Sequence, residues 1–297
     1  MTDHDVQHSG FIAIVGRPNV GKSTLMNRLV GQKVAIVSNR PQTTRNRVLG
    51  VLTADRRQMV FLDTPGLHRP RTKLGDYMMR QAGSAIRDVD LVVLVVDPDP
   101  VVAAAETDAL KRVESPVLLA INKIDTVKKE TLLEVIAAYS NEYEFTAILP
   151  ISARTGEGVD VLFAQMSAML PEGPAYFPAE LYTDQSERQI LAEFLREKTL
   201  HILEQEVPHG IAVEIETFDQ RDDGLLELGA VIYCEKQSHK GIIIGKNGET
   251  LKRISTSARL DMQRLMGCQI YLSVFVKVRE RWRDNARFIR SIGYRDD

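Results

Sequence analysis

Cysteine is nearly absent from this chain: 297 residues hold two, Cys234 and Cys268. Their separation matches no metal-ligand spacing and makes no disulfide framework, so both are expected as reduced thiols in a cytosolic protein. Long hydrophobic runs are missing as well. The longest strongly apolar stretch, Leu91–Val96, is far short of the roughly 20 residues that span a bilayer. The opening MTDHDVQHSG is polar and acidic where a secretory signal would be basic and then apolar, so a cytoplasmic location is expected. There is one tryptophan, Trp282, and no internal repeat or low-complexity tract. What remains, 44% hydrophobic and 26% charged residues, describes a soluble globular chain with room for one or two domains.

Net charge is small but unevenly placed. From Lys236 to Arg290 thirteen Lys and Arg face four Asp and Glu, a balance of +9; with −2 for the whole chain, the remainder carries −11. Such asymmetry points to a polyanionic partner for the C-terminal part. A merely solvated basic face is the plainer alternative.

Up to about Pro171, short apolar runs alternate with helix-like stretches. The runs are Phe11–Val15, Val34–Val37, Val48–Leu52, Met59–Leu62, Leu91–Val96, Val117–Ile121 and Ile148–Ile151. Helical periodicity marks Lys73–Asp88, Ala103–Val113, Lys129–Ser140 and Val159–Leu170. The pattern predicts a parallel sheet wrapped by helices, with ligands at the carboxyl ends of strands.

The polar residues after each run carry the chemistry. Gly16 to Ser23, GRPNVGKS, fits G-x-x-x-x-G-K-[ST] between a strand and a helix. Its glycines let successive N–H groups converge on phosphate oxygens at the positive end of the helix. The loop Gly16, Arg17, Pro18, Asn19, Val20, Gly21, Lys22, Ser23 and Thr24 is expected to line a nucleotide. Lys22 would reach the β- and γ-phosphates and the Ser23 hydroxyl would hold Mg²⁺. Asp63, Thr64, Pro65, Gly66 and Leu67 follow the Met59–Leu62 run; Asp63 is placed to act on Mg²⁺ and the Gly66 N–H on a γ-phosphate. Asn122, Lys123, Ile124 and Asp125 follow Val117–Ile121. A carboxylate there accepts the ring N–H and exocyclic amine of guanine, and adenine would leave it unpaired. Asn122 is assigned to the purine edge, and the stem of Lys123 to the ring face. Ser152, Ala153 and Arg154 follow the last run, with the Ala153 amide assigned to the guanine carbonyl. The polar loop Asn39–Arg47 supplies one hydroxyl to the metal, Thr44 or alternatively Thr43. A metabolic P-loop kinase or ATPase is the rival reading; NKID argues against it.

GRPNVGKS, PQTTR, DTPG, NKID and SAR, in this order and spacing over residues 11–170, resemble the translation-factor-like GTPases. The resemblance implies a Ras-like P-loop GTPase domain that hydrolyses GTP with Mg²⁺, with Lys22, Thr44 and Gly66 as catalytic groups and Ser23, Thr44 and Asp63 at the metal. One departure stands out. Leu67 occupies the position where Ras-type enzymes carry a water-orienting glutamine. Asn19 resembles the residue that helps some relatives lacking that glutamine to hold K⁺, so slow, potassium-stimulated hydrolysis is expected.

Pro171 to Pro178 is rich in proline and reads as a boundary, giving a GTPase domain over 1–172, a linker over 173–186 and a second domain over 187–297, with its core at about 205–285. There the order is helix (Ser186–Glu206, stopped at Pro208-His209-Gly210), strands (Ile211–Phe218, Leu225–Cys234), helix, GxxG, helix (Glu249–Met266), strand (Ile270–Val278). This is the α+β arrangement of a type II KH domain. Gly245, Lys246, Asn247 and Gly248 form the loop that lets a nucleic-acid backbone approach. Ile243 and Ile244 before it, and Lys252 and Arg253 after it, are assigned to RNA. Trp282, among arginines, is a stacking or a packing residue and is not assigned to a site.

A GTPase followed by a type II KH module, ending in VKVRERWRDN and SIGYRDD, resembles the Era-type family of bacterial GTPases. That resemblance implies GTP and GDP as ligands, binding to the 3′ region of 16S small-subunit ribosomal RNA, a role in assembly and maturation of the 30S subunit, a monomer, and peripheral association with the inner membrane. No lipid anchor or amphipathic membrane helix in the sequence accounts for the last. Docking of a protein or an anionic membrane surface is the alternative for the C-terminal module.

Overall fold

The structure is a computed structural model that describes residues 7–38, 40, 42–67, 70, 72–203 and 210–294. The start of the polar N-terminus, Asn39 and Pro41 of the polar loop, the Pro208-His209 helix stop and the last three residues lie outside the described residues. The chain forms two compact units. Met1–Ala35, Thr44–Pro70 and Met78–Asp184 make the first; Ile36–Thr43, Arg71–Tyr77 and Gln185–Asp297 make the second.

The first unit is built on strands β1 (His8–Val15), β2 (Val48–Ala54), β3 (Arg57–Asp63), β4 (Leu91–Val96), β5 (Val117–Ile121) and β6 (Ala147–Pro150), in the order β2-β3-β1-β4-β5-β6. Alternation along β4 shows why the sheet is covered on both faces. Val93 and Val95 pack with Leu25, Met26, Leu162 and Met166 on one side, while Val92, Leu94 and Val96 pack with Ala82, Leu110, Val135 and Tyr139 on the other. Those partners come from helices α1 (Lys22–Val30), α2 (Lys73–Ala85), α3 (Ala104–Leu110), α4 (Lys129–Glu142) and α5 (Val159–Ala168).

Two expectations are corrected. The sheet is mixed, because β2 runs antiparallel to β3 through a tight turn at Asp55 and Arg56, both with positive φ (47° and 63°). Val34–Val37 is not a strand. The Asn27 side chain takes the place of a ladder there: its Oδ1 accepts from the amides of Val34 (3.0 Å) and Ala35 (2.9 Å) and its Nδ2 donates to the Ala35 carbonyl (2.7 Å). The proline-rich stretch read as a linker lies along the first unit. Ser9 N–H donates to Pro171 O (3.1 Å), buried Gln58 brackets the backbone of Tyr176 and Phe177, and Val51 N–H on β2 donates to Tyr182 O (2.9 Å).

The second unit runs α6 (Glu187–Ile202), β7 (Ala212–Gln220), β8 (Leu226–Cys234), α7 (Gln237–Ile244), α8 (Glu249–Met266), β9 (Ile270–Val278) and α9 (Ala286–Ser291). β7 and β8 are antiparallel, β8 and β9 parallel. Leu191 and Leu195 of α6 and Ile254, Ala258 and Met262 of α8 cover one face of this three-stranded sheet. Ser186 caps α6 in a capping box with Gln189. Trp282 is fully buried and donates from Nε1 to Gly210 O (2.9 Å), so it is a packing residue. Cys234 is buried and Cys268 half-buried, both as free thiols.

Candidate nucleotide site and nucleic-acid interface

The functional residues of the first unit collect at the carboxyl ends of its parallel strands: Gly16 after β1, Asp63 at the end of β3, Asp97 after β4, Asn122 after β5 and Ser152 after β6. The loop after β1 is a curl that only glycine can make at two points. Gly16 has φ 148° and Gly21 φ 101°, and a Cβ would fall 2.2 Å from Val95 O at the first and 2.2 Å from Asn122 Nδ2 at the second. Lys22 is buried and donates to the carbonyls of Gly16 (3.1 Å) and Arg17 (2.9 Å). Burial pushes its ammonium down to about 8, with Asp63 and Asp97 pulling the other way.

Ser23, Thr44 and Asp63 come together as expected. Ser23 Oγ lies 2.6 Å from Asp63 Oδ2 and 2.9 Å from Thr44 Oγ1, and Thr44 donates to the same carboxylate oxygen at 3.3 Å. Thr43 turns away, donating to Arg40 O (2.5 Å), so Thr44 is the hydroxyl of this cluster. Asp63 is fully buried, its other oxygen, Oδ1, has no hydrogen-bond partner, and burial raises its carboxyl pKa. A buried carboxylate with one idle oxygen beside two hydroxyls and Lys22 is a hard, all-oxygen donor set that fits Mg²⁺. Leu67 is buried with Val92, Leu94 and Val96 on one face of the sheet, and its N–H donates to Gly16 O (3.0 Å).

The residues that the sequence assigns to the base are tied to one another. Asp125 accepts from Ser152 Oγ (2.5 Å) and pairs with Arg154, which together hold its carboxyl below the usual range. Lys123, at φ 63°, reaches back to the Asn19 carbonyl (2.6 Å) and pairs with Asp97 (2.8 Å). Asn122 is a strut: Nδ2 donates to Val20 O (2.7 Å), and Oδ1 accepts from Ala153 N–H (2.8 Å). The side chain assigned to the purine edge and the amide assigned to the guanine carbonyl are thus bonded to each other. Of the remaining assigned residues, Val20 is fully buried in the core and Thr64 bonds β1 through Ile14 O (3.1 Å), so they can meet a nucleotide only through backbone. Pro18, Pro65, Ile124 and Thr24 border the same loops.

Sequence reading missed several residues here. Asp97 follows an apolar run and was open to the same strand-end logic. Arg28, which donates to the carbonyls of Ala153 (2.6 Å) and Arg154 (2.6 Å), and Glu106, which pairs with Arg17 (2.8 Å), act across more than 80 residues of sequence and leave no local signal.

In the second unit α7 and α8 flank Gly245–Gly248. Gly245 (φ 73°), Asn247 (φ 52°) and Gly248 (φ 80°) all take positive φ, and a Cβ on Gly245 would strike Thr250 Oγ1 at 2.2 Å. Lys246, Asn247, Lys252 and Arg253 are exposed around this loop. Ile243, however, is fully buried; the exposed isoleucine is Ile242, at 50%. One residue along a helix turns the side chain by about 100°, which leaves Ile242 exposed and Ile244 half-buried beside the loop. The second unit also holds Ile36–Thr43: Val37 N–H donates to Glu197 (2.9 Å), and buried Arg196 donates to the Thr43 carbonyl.

Residues 11–123 match the 50S ribosome-binding GTPase family, and residues 206–283 match the KH domain family. The GTPase Era of Clostridioides difficile is 50% identical over 293 residues, covering 97% of this chain and 99% of that protein. The Era of Ruminiclostridium cellulolyticum is 46% identical over 290 residues, covering 97% of each chain. A crystal structure of Era in complex with MgGDPNP and nucleotides 1506–1542 of 16S ribosomal RNA superposes with a TM-score of 0.93 at 36% identity, covering 97% of this chain and 99% of that one. A single-residue variant of Aquifex aeolicus Era bound to GDP and AlF4⁻ superposes with a TM-score of 0.92, again at 36% identity over 97% and 99%. Identity of 46–50% sustained over nearly the whole of both chains, through the glycine-curled strand-end loop of one unit and the GxxG loop between helices of the other, places this chain in the Era family of GTPases.

Proposed function

We propose that the chain binds and hydrolyses GTP at the strand-end site of its first unit, and that its KH unit grips the 3′ region of 16S ribosomal RNA during assembly and maturation of the 30S subunit. The observation that carries the reading is the meeting of Ser23, Thr44 and Asp63 beside buried Lys22. Ser23 and Thr44 would hold Mg²⁺ with Asp63 behind them. When bound, the ion neutralises charge that builds on the phosphates. Lys22 binds the same phosphates, Gly66 offers its N–H to the terminal one, and Asp125 selects guanine. The small-subunit assignment rests on the Era relative solved with 16S nucleotides, which matches nearly the whole chain, whereas the 50S description belongs to a match over residues 11–123.

Hydrolysis is slow and potassium-stimulated. Buried Leu67 cannot orient water, and Asn19 of the phosphate loop is the residue that would take up a monovalent cation. The protein acts as a cytoplasmic monomer with peripheral contact to the inner membrane face. Among the described residues no helix is long and apolar enough to cross a membrane.

Replacing Asp125 with Asn should move nucleotide preference from guanine towards xanthine; unchanged GTP preference would return the site to the kinase or ATPase reading. Crosslinking in cells with sequencing of the attached RNA should recover the 3′ region of 16S RNA, and a G245D/G248D variant should lose it with GTP affinity intact. RNA captured equally by that variant would favour the protein or membrane reading of the module.

A further inference from the structure

Glu106 lies on α3, outside every motif, and is completely buried. A carboxylate in such a place demands partners, and it has three. Oε1 accepts from Arg17 Nε at 2.8 Å. Oε2 accepts from Tyr139 Oη on α4 at 2.8 Å and from Ala103 N–H at 3.1 Å. The bond to Ala103 is an ordinary helix-start contact, but neither of the others is needed to begin a helix. An apolar residue would fill the same space at no electrostatic cost.

Arg17 gives the cluster its meaning. It is the second residue of the phosphate loop, and its carbonyl holds Lys22 Nζ at 2.9 Å. Pro18 follows it and restricts its backbone further. A continuous chain of contacts therefore runs Tyr139 Oη, Glu106, the Arg17 side chain, the Arg17 carbonyl, Lys22 Nζ. We propose that Glu106 and Tyr139 are positioning residues for Lys22: by fixing Arg17 they hold the phosphate loop in the shape that presents the lysine to the nucleotide. This deepens the GTPase reading and rests on it.

Tyr139→Phe removes one hydroxyl and keeps the ring; Glu106→Gln keeps the shape and removes the charge. Each should raise KM for GTP and speed GDP release by about fivefold to tenfold, with kcat within about twofold, because the contact to the phosphates is made before and during the reaction alike. In a double-mutant cycle on GDP release, Arg17→Leu with Glu106→Gln should do no more than either change alone. A purely architectural cluster would instead lower the melting temperature and leave KM and GDP release unaltered. That result, or additive effects of Arg17→Leu and Glu106→Gln, would overturn the proposal. Should Glu106→Gln fail to fold, KM and GDP release in Tyr139→Phe decide alone. An unaltered protein that turns over no guanine nucleotide would instead overturn the GTPase reading itself.

Discussion

Gly66 has no room for a methyl group: a Cβ there would lie 2.6 Å from Pro18 N and 2.7 Å from Pro18 Cα, both backbone atoms. The phosphate loop is pinned through Lys22, Asn122 and Arg17, so the DTPG segment is the part that must yield. Overpacking of this kind costs about 1–3 kcal/mol. Gly66→Ala should therefore cut single-turnover GTP hydrolysis by about tenfold or more while GDP affinity stays within about threefold; equal loss of both would contradict the assignment of Gly66 to the γ-phosphate. Lys22 makes a second prediction. Its charged form binds phosphates, so a bound nucleotide must raise its pKa above the value of about 8 in the free protein. Binding then takes up a proton above that pH. Affinity for GDP should be flat between about pH 7 and 7.5, above the titration of its own terminal phosphate, and weaken above pH 8, approaching tenfold per unit. Calorimetry in buffers of different ionisation heat would reveal the uptake, and a pH-independent affinity to pH 9 would refute it. At this scale the sequence was most legible where a motif carries its own chemistry. Ser23, Asp63 and Thr44 meet as their types required. What Asn122 and Glu106 do was illegible, because it depends on partners brought near only by folding.

Elements were legible where punctuation and periodicity agree. α8 and β9 fall at Glu249–Met266 and Ile270–Val278, where the pattern puts them, because Gly248 (φ 80°) and Gly267 (φ 66°) bracket the helix. Val34–Val37 misled because four apolar residues say nothing about whether a ladder partner exists, and a side chain, Asn27, satisfied the backbone instead. The short helix α7 shows the limit most plainly. Its run Ile242-Ile243-Ile244 is apolar throughout, so composition could not say which side chain faces the core. The structure buries Ile243 and exposes Ile242. Ile243→Ala should destabilise the protein by about 2–5 kcal/mol, seen as a lower urea midpoint. Ile242→Ala should leave stability within about 0.5 kcal/mol and weaken RNA binding instead. The reverse ordering would return the RNA contact to Ile243, where the sequence assigned it.

For the whole molecule, the uneven charge is the property most easily read from sequence. The +9 window begins just after β8 and takes in the GxxG loop, α8, β9 and most of α9, while residues 1–172 are balanced, with 20 Lys and Arg against 20 Asp and Glu, so the acidic excess lies in residues 173–235, where 14 Asp and Glu face four Lys and Arg. Domain limits were harder to read, because proline content reports how a backbone is restricted and not what it lies against. Residues 171–182 show this: Pro171, Pro174, Tyr176, Phe177 and Tyr182 are all bonded to β1, β2 or β3 or to Gln58. The contact between Val51 and Tyr182 falls on β2, the outermost strand of its sheet. Open strand edges recruit further strands from other molecules. Truncation therefore has a foreseeable hazard. A fragment stopping at residue 172 would bare both that edge and the amide of Gln58, and dynamic light scattering should show it clumping. A fragment carried on to Asp184 keeps its own cover and should remain dispersed at the same concentration.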